Sequence, residues 1–182
     1  MVPIAMLLLS FLYNNTPFLI KDEAHQAFEL INDIRSNPDK YPKKLQLNSQ
    51  QHIGQSLRWN DTLARAAEAK AMDMAKRNYF SYITPEGYAI NHFFPHNDST
   101  HVDWKDDPPY IEFIEEGSAS GAEAVKSLIT DTDDTFRERR VNLQDIIGTA
   151  DTSLYDIGIG FVKSDGSNSK SYTCIIILKH QW

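Results

Sequence analysis

The chain has 182 residues, of which 41% are hydrophobic and 24% charged, the make-up of one globular domain that can bury a core without covalent staples. A formal net charge of −7 leaves no basic field to draw in a phosphate backbone, so nucleic acid is excluded as an expected partner. A single cysteine, Cys174, excludes an internal disulfide and a multi-cysteine zinc centre.

The leading "MVPIAMLLLSFLY" is too short to span a bilayer, and no stable membrane span is expected. Its length suits the apolar core of a secretory signal, yet no Lys or Arg precedes it and no small-x-small cleavage site follows. Residues 1–20 therefore read as a signal peptide or an apolar extension, and 21–182 as one domain, with export expected.

In "DEAHQAFELINDIRSNP", Ala24, Ala27, Phe28, Ile31 and Ile34 recur at helical spacing until Asn37-Pro38 stops them. "PDKYPKKLQL" predicts a second short helix. Asn60 or Asp61 caps the strongest helix, predicted over 61–79, with Leu63, Ala67, Ala71 and Met74 on one face. Trp59, one residue before the cap, is expected to be buried beneath the first turn. "TPEGYAINHFF" predicts another short helix ending at Pro95.

"YIEFIEEG" alternates as a strand with Tyr110, Glu112 and Ile114 on one side. Ser118 or Ser120 caps a helix whose apolar face holds Ala122, Val125, Leu128 and Ile129, and "RERRVNLQD" reads as a short helical piece. "YDIGIGFVK" and "SYTCIIILK", joined by "SDGSNS", form a hairpin. This order of helices, strand, helix and hairpin argues an α+β domain with an antiparallel sheet between helical layers.

Several chemical signatures fail on inspection. "GSASG" carries Ala119 where a nucleophile elbow needs Ser, and "GIGFVK" has Lys163 where a dinucleotide loop needs its third glycine. "DTDDTF" lacks the glycine and distal Glu of a calcium loop. His92, His96 and His101 have the residue type for zinc, but Pro95 breaks the helix that would align the first two. Sequons occur at Asn14, Asn60 and Asn97. Cys174, inside "YTCIIIL", reads as a buried and inert thiol.

The block "LRWNDTLARAAEAKAMDMAKRNYFSYITPEG" resembles the most recognisable segment of the CAP superfamily, a Leu-x-Trp-x-x-x-Leu helix running into Tyr-Phe-Ser-His and a Pro-x-Gly turn. "INDIRSNPDKYPKKL", "IEFIEEG", "RRVNLQDIIG", "DIGIGFV" and "SYTCIII" are similar to further segments of that family, in the right order from about Ala24 to Lys179. The superfamily comprises cysteine-rich secretory proteins, antigen 5 and plant pathogenesis-related proteins; the likeness is strongest to its bacterial, disulfide-free branch. The resemblance implies a three-layer α–β–α sandwich with a central cavity, where two histidines and one or two glutamates bind a metal ion in some members.

This chain departs from that pattern. Tyr82 and Arg139 stand where the two histidines are expected, and Ser171 and Cys174 replace a later histidine and glutamine, while Glu112 remains. A phenol is a poor ligand or base at neutral pH, and a guanidinium can neither bind a cation nor accept a proton. Tyr82, Glu112, Arg139 and Ser171 are therefore the expected cavity residues, with Glu112 and Arg139 as a charge-assisted pair. No catalytic residue, cofactor or tightly bound metal is expected. The expected function is binding, by a monomer, of a small apolar, amphipathic or lipid-like ligand or of a protein partner. The alternative is a protease-like hydrolase with Glu112 as general base and help from the histidine loop.

Overall fold

The computed structural model describes residues 16–42, 56–95, 110–130, 155–164 and 170–179. Its centre is the expected hairpin. β4 (Tyr155–Lys163) and β5 (Ser171–Lys179) pair antiparallel along their whole length, from Tyr155 opposite Lys179 to Lys163 opposite Ser171. Both are rich in β-branched and aromatic residues, which fit a pleated, buried surface. β3 (Tyr110–Glu116) adds antiparallel to the far side of β5, with Glu112 opposite Ile176.

Two further strands of two residues each lie against the open edge of β4. β1 (Phe18–Leu19) pairs antiparallel near its end, and β2 (Arg58–Trp59) pairs parallel near its start. β1 thus brings into the sheet two residues of the stretch 1–20 that sequence sets apart. Two residues carry no readable period, so neither strand could be predicted.

Helices cover both faces. α1 (Lys21–Ser36) and α3 (Gly121–Thr130) bury Ala24, Ala27, Ile31, Ile34, Val125 and Ile129 against Phe113, Ile157, Ile159, Phe161, Ile175 and Ile177. On the opposite face α2 (Asp61–Arg77) packs Leu63, Ala66, Ala67, Ala71 and Met74 against Tyr110, Ile114, Val162, Tyr172, Cys174 and Ile176. The result is the expected α+β fold, a three-layer α–β–α sandwich around a central, mainly antiparallel sheet. Among the described residues, no helix is long and apolar enough to cross a membrane.

Local chemistry sets the helix ends. The Asn60 side chain accepts from the backbone N–H groups of Thr62 and Leu63, which caps α2. The helix stops at Arg77 rather than 79 because Asn78 turns left-handed, with φ 52°. Of the two serines offered for α3, Ser120 is the cap; its hydroxyl accepts from Glu123 N–H at 3.2 Å.

The helix predicted in "TPEGYAINHFF" shrinks to one 3-10 turn, Ile90–Phe93. A tight turn comes before it, closed by Gly87 N–H on the Thr84 carbonyl at 2.8 Å, with Gly87 at φ 92°. "PDKYPKKLQL" likewise forms a 3-10 turn over Pro38–Lys40, its residues beyond 42 lying outside the described set, as does all of "RERRVNLQD". Trp59 is half-buried, not buried beneath its own helix. It leans on α1 instead, with its ring 4.4 Å from that of His25 and 5.4 Å from Phe28.

Candidate functional site

β3 alternates as expected, sending Tyr110, Glu112 and Ile114 toward α2, while Phe113 and Glu115 face α1 and α3. On the neighbouring strand Cys174 shares the α2 face, and its thiol donates to Glu112 Oε1 at 3.7 Å. Cys174 is fully buried, and burial followed by the Glu112 charge pushes its pKa well up, so it stays a thiol. It is the inert cysteine that the sequence suggested.

A buried cation that the residue pattern did not single out acts on Glu112 through its charge. Lys70 occupies the inner stripe of α2, three residues after Ala67 and four before Met74, and is 0% exposed. Its ammonium donates to the Tyr82 main-chain carbonyl at 3.0 Å and to the Tyr79 hydroxyl at 3.4 Å. It also lies 5.2 Å from the Tyr79 ring centre and 5.5 Å from that of Phe93, within cation–π reach of both. Tyr79 in turn donates to Asp73 Oδ2 at 2.7 Å, and Asp73 pairs with Arg77 at 3.4 Å.

Burial pushes the Lys70 pKa down, and the charges of Glu112 and Asp73 pull it back up. Sequence reasoning passed over this residue because a lysine in an alanine-rich helix usually snorkels to water. The available signal was its place at i+3 and i−4 within the apolar stripe.

The expected cavity set is only partly brought together. Tyr82 reaches the Glu112 region through its main-chain carbonyl on Lys70, and its side chain packs half-buried against the α2 core. Ser171 lies on the other face of the sheet, because its parity on β5 is that of Thr173 and Ile175 rather than Cys174. There it is buried and donates to the Ser118 carbonyl, tying down the link between β3 and α3. Arg139, and with it the pairing with Glu112, lies outside the described residues, as do His96 and His101. His92 is exposed and stacks on Tyr88, with ring centres 4.4 Å apart and planes 9° apart.

Among the described residues, the groups near Glu112 do not make a ligand set for a divalent cation. The Tyr82 carbonyl already accepts from Lys70, the Cys174 sulfur keeps its proton, and an ammonium acts on the one carboxylate. Among the described residues, no three His, Cys, Asp or Glu side chains converge as metal ligands.

A separate pocket of about 310 Å³ opens between the first turns of α1 and α2. Ala24 and Ala64 keep its floor low, His25 and Trp59 form an aromatic wall, and Lys21, Asp61, Arg65 and Glu68 line it with charges of both signs. Trp59 Nε1 donates to Asp61 Oδ1 at 2.9 Å.

A sandwich of this order, with a polar centre held between its sheet and α2, defines a class of small α+β domains. A family model described as the Cysteine-rich secretory protein family, CAP, matches residues 28–176, from α1 into β5, and the chain belongs to this family. No curated protein matches the chain.

Proposed function

We propose that this CAP-family domain is an exported, monomeric binding protein without catalytic activity, whose ligand is a small apolar or amphipathic molecule. One observation carries the reading: among the described residues, the positive charge acting on Glu112 is the ammonium of the buried Lys70. A general base must take up a proton near working pH, and a fixed cation beside a carboxylate favours its ionised form. The half-buried aromatics Tyr79, Phe80, Tyr82, Phe93 and Phe94 around this centre, and the aromatic-walled pocket at Trp59, offer apolar surface with polar groups at the margin.

Native mass spectrometry of the protein purified from its own host tests the reading. The expected result is an added mass that organic extraction removes, with a lower Tm afterwards that recovers when the extract is returned. An unmodified mass, together with a Tm indifferent to fatty acids, lysolipids and sterols, would refute it. Peptide or ester hydrolysis that disappears in Glu112→Gln would establish the hydrolase in its place.

A further inference from the structure

We infer that Glu115 and Thr173 form a buried water site at the junction of β3 and α3, where one water donates to Glu115 Oε2 and accepts from the Thr173 hydroxyl. The site lies on the face of the sheet opposite Glu112 and does not depend on the proposed ligand binding.

Glu115 and Thr173 are direct partners across the β3–β5 ladder, so their side chains rise from the same face. Strand parity places them in line with Phe113 and Ile175, and Phe161 flanks Thr173 on β4, all on the side covered by α1 and α3. Thr173 is 0% exposed and Glu115 9%. Glu115 Oε2 and Thr173 Oγ1 each lack a hydrogen-bond partner among the described residues. Burying such atoms bare is costly for the carboxylate and the hydroxyl alike. In a directly opposed pair the Cβ atoms stand about 4.5–5.5 Å apart, a span that lets one water reach both side chains and remove both costs.

The rest of this corner is hydrogen-bonded, which holds the two atoms in place. Ser118 donates to Glu115 Oε1 at 2.7 Å, Ser171 donates to the Ser118 carbonyl, and Gly117 N–H donates to the Ser171 carbonyl at 3.0 Å. The Ser118 and Ser171 hydroxyls have thus committed their protons but keep lone pairs, so the cluster offers a water more than two partners. The water would complete the polar corner through which the link to α3 is tied to the sheet.

Two measurements on the full chain test the site. A high-resolution crystal structure of the wild type is expected to show a water at about 2.7–3.2 Å from both atoms. A direct bond between Glu115 and Thr173, a metal ion in that place or a dry corner would overturn the inference.

The second measurement is the Tm of Thr173→Val, which keeps the shape of the side chain and removes its hydroxyl. Loss of the bridged hydrogen bond is expected to lower Tm by roughly 2–4 °C. A hydroxyl without a partner would be replaced at no loss, so an unchanged or raised Tm counts against the site. In a Glu115→Leu background the bridge is already gone, and Thr173→Val is expected to leave Tm unchanged there. An equal fall in both backgrounds would mean that the hydroxyl acts apart from Glu115, and would overturn the bridge.

Discussion

Glu115 shows how one carboxylate can carry a pH dependence. It lies at the end of β3 on the face of Phe113, 9% exposed, with Oε1 accepting from the Ser118 hydroxyl at 2.7 Å. Its other oxygen, Oε2, has no hydrogen-bond partner among the described residues. Burial pushes its pKa above the ordinary 4.5; Ser118 counteracts this, and the charges of Glu116 and Glu123 add to it. The folded state therefore favours the protonated acid. The stability this group contributes is complete below pH 4.5 and is lost as pH rises through the folded pKa. Glu115→Gln is expected to be more stable than wild type at pH 7 and to converge with it below pH 4.5, as read by urea unfolding at both values. A constant difference across pH would remove the carboxylate from the explanation. Asn60 makes a second residue-scale case. Its sequon nitrogen donates to the buried Asp156 at 3.0 Å while its oxygen caps α2, so both ends of the amide are committed inside the fold. Glycopeptide mapping after expression in a eukaryotic host is expected to find Asn60 unmodified, and a glycan there would mean that the cap opens.

At the scale of elements, the contact that organises the molecule is α2 on β4. β4 presents Ile157, Ile159 and Phe161 to α1 and α3, and Asp156, Gly158, Gly160 and Val162 to α2. A Cβ on Gly158 would sit 2.1 Å from the Ala64 nitrogen, and one on Gly160 would sit 2.4 Å from the Glu68 nitrogen. The two glycines that fail as a dinucleotide loop are there to let a helix lie directly on a strand. This close approach lowers α2 onto the sheet and brings its inward stripe, Lys70 included, against the polar centre. Gly158→Ala must push the helix backbone away and is expected to cost about 3 kcal/mol, measured by urea unfolding. A change under about 0.5 kcal/mol would show that α2 shifts freely and that its height on the sheet is not set by the glycines. The same contact explains the short β2, since Asn60 N–H bonds the Ile157 carbonyl at 2.9 Å and Arg58 pairs with Asp156 at 2.7 Å, pinning the start of α2 to β4.

Across the whole molecule, local pattern decided a good deal. Period-two alternation placed β3 and its two faces, the apolar runs around "SDGSNS" placed the hairpin, and helical spacing placed α1, α2 and α3 within a few residues. These features are legible because each element must bury one face whatever it packs against. The same alternation put Glu112 on one side of β3 with Tyr110 and Ile114, and the family resemblance marked it as a site residue. What the pattern could not supply was the company each residue keeps. Ser171 was grouped with Glu112 through its place in a motif, yet strand parity sends the two to opposite faces of one sheet. Lys70 was not singled out, because whether a lysine can be buried depends on acceptors nine and twelve residues further along and on charges from other parts of the chain. The sequence by itself determined the layers and their faces, since those follow from hydrophobic burial along single elements, while Glu112 was singled out through the motif it shares with the family. Only the tertiary structure decided that Lys70 is buried, with Tyr79 and Tyr82 accepting from its ammonium, because the cost of burying a charge is settled by the groups that distant parts of the chain bring to it.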